Sequence, residues 1–136
     1  MKQTFDIEDY LYGLFDGSAE LKAAITGGIY KGDERPDDSK LEDVVINTIT
    51  TTQEFTPQKA VSNVNIYVPN INIKTGGQNQ KKANRTRLKE LSVMAAGILR
   101  GASIEGLTFW ITNQVTVKDP DINQHFVNLR IEWNIH

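Results

Sequence analysis

The last stretch of the chain alternates strictly between apolar and polar residues. Side chains alternate between the two faces of a β-strand, so this period of two predicts a strand with one buried and one solvated face. We expect the strand to be central to the fold rather than a loose tail. Its predicted core residues are Val127, Leu129, Ile131, Trp133 and Ile135, and the polar row between them is Asn128, Arg130, Glu132 and Asn134.

Three further stretches have the pattern of strands. Residues 41–52 carry apolar side chains on both faces near their start, which predicts a strand inside the sheet. Residues 63–68 alternate between polar and apolar side chains and predict a second strand. Pro69 cannot donate a hydrogen bond to a neighbouring strand, so Ile71 and Ile73 either continue that strand or form a separate arm. Residues 107–117 predict a strand with a single apolar face, broken only at Asn113, that comprises Leu107, Phe109, Ile111, Val115 and Val117.

Helical spacing of apolar residues occurs in three places. A first helix is predicted over residues 5–15, and Ser18 is the expected N-cap of a short second helix, Ala19–Ile25. Asn84 is the expected N-cap of the longest helix, which Gly101 closes. The apolar stripe of this longest helix consists of Leu88, Leu91, Met94, Ala95, Ile98 and Leu99.

The order of these elements predicts the fold class. Helices and strands come in runs rather than as alternating βαβ units, which favours an α+β fold. We expect a mainly antiparallel sheet of four to five strands with two or three helices packed on one face. A single domain is expected over residues 1–136, with a flexible basic loop at about 74–84 that includes the polar segment from Gly76 to Ala83.

Composition narrows the function classes. The chain has no cysteine, which excludes disulfides, thiolate metal sites and a cysteine nucleophile. No apolar run approaches the ~20 residues that span a bilayer, and the acidic start lacks an apolar signal core, so we expect a cytosolic chain without a membrane partner. Residues 1–54 hold twelve acidic and five basic side chains, a balance of −7, whereas residues 55–136 hold five acidic and ten basic, a balance of +5. The two parts form either differently charged faces of one domain or complementary patches between neighbouring copies.

Candidate chemistry is sparse. His125 and His136 would lie roughly 35 Å apart on a regular strand, too far to share a metal ion. Neither accompanies a nucleophile motif, and the neighbouring acidic pairs are expected to be solvated because adjacent side chains point apart. We therefore expect no catalytic residue, no metal, no cofactor and no enzyme activity. The acidic pairs are Glu8 with Asp9, Asp37 with Asp38, and Glu42 with Asp43.

One charged segment stands out. Sixteen residues, 74–89, contain six cations and no acid, and the last three cations lie in the first turns of the long helix. Positive charge there opposes the helix dipole at a cost of a few tenths of a kcal/mol each, which contact with an anionic partner would offset. The segment is therefore either a solvated loop or a surface that faces a partner or DNA. Its cations are Lys74, Lys81, Lys82, Arg85, Arg87 and Lys89.

Several stretches together resemble a known family. An opening Asp-x-x-x-Tyr-Leu helix leads to Leu21–Tyr30 and a proline-containing loop, and Glu42–Asn47, Ser62–Pro69 and His125–Trp133 follow. The pattern resembles small prophage-encoded proteins and, more distantly, the tail-completion (head-to-tail joining, or tail-terminator) proteins of long-tailed bacteriophages. The likeness covers most of the chain in the order of its elements.

The resemblance implies a non-enzymatic structural role in phage morphogenesis. Such proteins complete or cap the tail tube and join it to the head connector, commonly as a ring around the DNA channel. It implies an α+β fold, copies of the chain itself, tail-tube and head-connector proteins as partners, non-specific DNA in the channel, and a place in the virion after assembly in the bacterial host cytoplasm. The row Asn128, Arg130, Glu132 and Asn134 is then a candidate subunit contact, or simply solvated. The alternatives are a small nucleic-acid-binding module that uses Lys74 to Lys89, and a host-encoded adaptor domain.

Overall fold

A computed structural model describes residues 1–53 and 57–136. A short 3₁₀ turn, Pro120–Ile122, joins the last two strands. No helix among the described residues is long and apolar enough to cross a membrane. In chain order the elements are α1 (Thr4–Asp16), α2 (Ala19–Ala24), β1 (Ile29–Lys31), β2 (Asp43–Thr51), β3 (Gln58–Pro69), β4 (Ile71–Thr75), β5 (Gln78–Lys82), α3 (Arg85–Gly101), β6 (Leu107–Asp119) and β7 (Gln124–Ile135).

Five strands form one sheet in the order β1-β2-β3-β7-β6. Only β1 and β2 run parallel, and every other neighbouring pair is antiparallel. The last strand, β7, lies between β3 and β6 and so occupies an interior position, as its alternation predicts. All five of its predicted core residues are buried: Val127, Leu129, Ile131, Trp133 and Ile135. The predicted α+β class with a mainly antiparallel sheet is therefore confirmed.

Helices α1 and α3 supply the apolar cover of the sheet, and α2 packs against both of them. Ile7, Leu11 and Phe15 of α1 are fully buried, and α1 packs on β1, β2 and β3. The apolar stripe of α3 packs on β3, β6 and β7, and the side chains of Asn84 and Ser18 cap α3 and α2 as expected. Burial of this kind contributes about 1.5–3 kcal/mol for each large apolar side chain.

A small polar network lies inside this core. The buried indole N–H of Trp133 donates to Ser62 Oγ at 3.0 Å, and Ser62 Oγ lies 2.9 Å from Thr48 Oγ1. The three groups satisfy one another, which buried polar atoms require.

The predicted face of β6 is wrong in its second half. The pairing with β7 shifts between Ile111 and Asn113, so one extra residue forms a β-bulge. Because side chains alternate with a period of two, the bulge moves every later residue to the opposite face. Gln114 and Thr116 now pair with the buried residues of β7, whereas Val115 is 44% exposed.

The predicted polar loop from Gly76 to Ala83 is also wrong in part. β4 and β5 pair from Ile71↔Lys82 to Thr75↔Gln78 and form a separate two-stranded hairpin. Of the two alternatives for Ile71 and Ile73, the structure has the separate arm. Gly76 and Gly77 have φ of 59° and 81°. Positive φ at both central residues belongs to the tight turn whose twist matches that of paired strands. The flexibility expected there stays a prediction. The sequence of residues 53–59 predicts a connection between two strands; residues 54–56 of it lie outside the described residues, and Gln58 and Lys59 belong to β3.

Candidate functional site

The fold sends the six cations of segment 74–89 to different places. Alternation along the hairpin puts Lys74 and Lys81 on one face, while Lys82 lies on the other face beside Ile71 and Ile73. These three lysines are exposed, and none of them forms an ion pair with a described residue. The hairpin is thus a cationic arm that extends from the sheet.

Arg87 is engaged inside the fold. Its guanidinium binds Glu42 through two bonds, Nε to Oε2 at 2.7 Å and Nη2 to Oε1 at 2.9 Å, and also donates to the carbonyl of Ala24 and to Glu90. The hydrogen bond to Glu42 is the main cause that raises the pKa of Arg87 above its usual range. Arg87 therefore joins α3 to the segment before β2, and we leave it out of any partner surface.

Arg85 and Lys89 line a cleft between α3 and the second half of β6. The cleft has a volume of about 380 Å³, its third cation is Arg100, and none of the described acidic residues lines it. The β-bulge turns Gln114 and Thr116, rather than Val115 and Val117, toward α3, and both polar side chains line the cleft. We name this site, lined by α3 and β6, the basic cleft.

A loop that carries several carboxylates, residues 33–38, lies on the opposite face of the sheet and is held there through Asp43. Asp43 was expected to be solvated, but its side chain is fully buried and accepts from the backbone of Gly28 at 2.9 Å, from Arg35 Nε at 2.8 Å and from Ser39 Oγ at 2.5 Å. Glu42 is buried as well, because Arg87 neutralises it. The expectation that this acidic pair is solvated was wrong. Each carboxylate forms an ion pair with an arginine, which offsets the cost of removing its charge from water.

Arg35 anchors the middle of this loop. Its guanidinium lies 3.9 Å from the ring centre of Tyr67 and donates to the buried side chain of Gln124 at 2.7 Å. Burial raises the pKa of Tyr67, and the charge of Arg35 opposes that rise. With Arg35 held inward, the neighbouring side chains of the loop point into solvent: Asp33, Glu34, Pro36, Asp37 and Asp38. We name these five residues, with Arg35, the acidic loop.

The polar row of β7 lies on the same face of the sheet as Asp43, away from the helices. Asn128 donates to Asn63 at 3.1 Å and to Asn65 at 2.7 Å, and Asn134 accepts from Lys59. Arg130 and Glu132 are exposed. Two members of the row are therefore used within the sheet and two are available, and the subunit contact stays a prediction.

The two histidines occupy separate surroundings. His125 Nδ1 lies 2.5 Å from Asn70 Oδ1, next to the root of the hairpin, and His136 Nε2 lies 3.3 Å from Thr108 Oγ1. Burial lowers the pKa of His125, and the nearby charge of Lys118 lowers it further. Among the described residues no group of three or more His, Cys, Asp and Glu side chains is arranged to hold a metal ion.

Sequence reasoning missed the anchor of the acidic loop and the basic cleft. Arg35 reaches Gln124 across 89 residues, and no local pattern signals such a contact. The hairpin had a usable signal, since Gly76-Gly77 follows an alternating stretch and is a two-residue turn of the preferred kind. The bulge had a weaker one, since Asn113 interrupts an otherwise regular apolar face.

Comparison with protein-family models and with curated proteins gives no match. Among solved structures, the chain is similar to a chain of the virion of a native gene transfer agent particle. The TM-score is 0.58 at 13% sequence identity, and the match covers 92% of this chain and 90% of that chain. At this identity the likeness shows a shared fold over nearly the whole length of both chains.

Proposed function

We propose that the chain is a structural, non-enzymatic protein of a phage-type particle that completes or caps the tail tube and joins it to the head connector as a ring. The observation that carries the proposal is the shared fold, over nearly its full length, with a chain of a gene transfer agent virion. The resemblance of its sequence to tail-completion proteins agrees with that assignment.

The distribution of charge supports assembly from copies of the chain. Cations line the basic cleft on the helix-covered side of the sheet, and carboxylates concentrate in the acidic loop on the other face of the sheet. Two different patches on opposite faces suit head-to-tail contacts, which give a ring when the rotation between subunits closes. In this role the partners of the chain are the tail-tube and connector proteins, and the assembled ring is part of the virion.

Light scattering after size exclusion, together with native mass spectrometry, tests the ring. We expect a closed oligomer whose population grows with protein concentration, and co-elution with tail-tube or connector protein from the same particle. A strict monomer at high concentration that binds neither protein would overturn the proposal.

A second candidate is non-specific DNA binding through the hairpin. The observation in its favour is the three exposed lysines of the arm, Lys74, Lys81 and Lys82, none paired with a described residue. If each contacts a phosphate, the logarithm of the binding constant falls with the logarithm of salt concentration at a slope of about −0.9 per contact.

A gel-shift or anisotropy titration at several salt concentrations measures this slope. Replacing the three lysines by glutamine removes about three phosphate contacts, so the slope is expected to become less negative by about 2.7. The matched control is Lys22→Gln with Lys31→Gln and Lys40→Gln, which removes the same charge from the acidic part of the chain. An equal loss in both variants, or no binding by the parent chain, removes this candidate.

A further inference from the structure

The basic cleft is a built feature whose charge has no counterpart inside the chain. Arg85, Lys89 and Arg100 are all exposed, and none of them forms an ion pair with a described residue. Arg85 and Lys89 are neighbours because they lie four residues apart on α3, and Arg100 lies about three turns further along the same side of the helix. Three cations around one cleft repel one another, so an anionic occupant lowers their energy.

The floor of the cleft is not purely polar. Val93 is 63% exposed beside the cations, and Leu88 and Val127 lie beneath. Such a floor takes apolar contact as well as charge, which fits a short segment of protein chain. A double helix is bound instead by extended basic surfaces that follow about one negative charge per 1.7 Å of axis.

The acidic loop has the complementary chemistry. Asp33, Glu34, Asp37 and Asp38 surround the exposed Pro36, and none of the four carboxylates forms an ion pair with a described residue. The anchor of Arg35 on Asp43 and Gln124 holds the loop in place before any partner arrives. A segment that is ordered in advance loses little conformational entropy on binding, which favours affinity.

The loop and the cleft of one chain lie on opposite faces of the sheet. Asp43 and Tyr67, on which the loop rests, point away from the helices, whereas the cleft opens between α3 and the helix-covered face of β6. A loop that fills a cleft must therefore come from another molecule. The same pairing repeated from copy to copy is heterologous, which is the type of contact that builds rings.

We infer that the basic cleft of one copy binds the acidic loop of the neighbouring copy, with carboxylates on Arg85, Lys89 and Arg100 and Pro36 on the apolar floor. The inference rests on the proposed ring and names its interface. Because both partners are charged, association weakens as salt rises.

Charge reversal tests the pairing. The cleft variant carries Arg85→Glu and Lys89→Glu, and the loop variant carries Asp37→Lys and Asp38→Lys. Each variant alone is expected to weaken self-association on the order of 100-fold, because like charges then face each other across the interface. An equimolar mixture of the two variants is expected to regain the oligomer, because each reversed cleft then meets a reversed loop. Circular dichroism and denaturant unfolding check that both variants keep the fold.

A matched control carries Lys74→Glu and Lys81→Glu on the hairpin, with the same change of net charge as the cleft variant, and is expected to assemble like the parent chain. An oligomer that is insensitive to the cleft and loop variants, or equally sensitive to the hairpin control, overturns this interface and leaves the ring proposal standing. A parent chain that stays monomeric and binds no tail or connector protein overturns both. Loss of duplex DNA binding in the cleft variant with unchanged assembly assigns the cleft to DNA and overturns the inference.

Discussion

The acidic loop and the hairpin are both polar surface segments, but they are held in opposite ways. The acidic loop has no regular backbone pairing, yet its centre is fixed by Arg35 and the fully buried Asp43. The hairpin pairs regularly from Ile71 to Lys82, yet nearly all of its residues are exposed and its strands pair only with each other. Regular hydrogen bonding and attachment to the fold are therefore separate properties in this chain.

The difference has a physical basis. An isolated two-stranded hairpin is marginally stable in water, because its hydrogen bonds replace equivalent bonds to solvent. A buried carboxylate with a cationic partner is costly to disturb, because loss of one partner leaves the other charge uncompensated. We therefore expect the irregular loop to contribute more to the stability of the domain than the regular hairpin does.

The largest expected effect is that of Asp43→Ala, which leaves the largely buried guanidinium of Arg35 without its carboxylate. Breaking a buried ion pair in this way costs about 3–5 kcal/mol of unfolding free energy. Urea unfolding measures the change. Asp38→Ala, in the exposed part of the same loop, is the control and is expected to stay within about 0.5 kcal/mol. Equal effects of the two changes would contradict a buried anchor.

A smaller effect is expected for Gly27→Ala, which tests how tightly the anchor is built. A Cβ atom at this position would lie 1.8 Å from Asp43 Oδ1 and 2.6 Å from the carbonyl of Glu42, so the carboxylate must move. Overpacking of this kind costs about 1–3 kcal/mol. Gly97→Ala on α3 is the matched control, because nothing lies within 4 Å of its Cβ, and it is expected to stabilise the chain by up to about 1 kcal/mol. A loss of stability at Gly97 as large as that at Gly27 would refute the steric reason.

Shortening the hairpin is expected to change the unfolding free energy by less than about 0.5 kcal/mol. In the variant, residues 72–81 are replaced by two glycines. These glycines form a turn between Ile71 and Lys82, which already pair with each other. The same urea titration measures it, and hydrogen exchange of the parent chain adds a local test. The hairpin amides are expected to exchange faster than the amide of Gly28, which donates to buried Asp43. A large loss of stability would show that the arm packs on the domain.

The smallest effect concerns the root of the hairpin and depends on pH. Burial and Lys118 lower the pKa of His125, so the folded chain favours the neutral ring more than the unfolded chain does. The contribution of the neutral His125 ring to the free energy of unfolding is present above the unfolded pKa, near 6.5. It is lost as pH falls through the folded pKa. An NMR titration of the ring is expected to give a midpoint below 6.5, and Lys118→Gln is expected to raise it. A midpoint above 6.5 would contradict the burial of the ring.

Much of the framework follows from patterns along the chain. The alternation of Val127–Ile135 is strong enough to identify an interior strand, and the stripe from Leu88 to Leu99 identifies the helix that covers it. These elements depend on local periodicity, since period two and period 3.6 each place apolar residues on one side. Caps such as Ser18 and Asn84 are equally local, because the side chain bonds a backbone amide three residues away.

The surfaces that bear on function depend on contacts between distant parts of the chain. One bulge in β6 exchanged the faces of Gln114 and Val115 and placed Gln114 in the lining of the basic cleft, although apolar alternation predicted that Val115 lies on the apolar face. Arg87 looked like part of a cationic surface until Glu42, 45 residues away in the chain, proved to be its partner. Which charges are neutralised and which remain free is set by three-dimensional neighbours, because electrostatic energy depends on distance in space and burial rather than on separation along the chain.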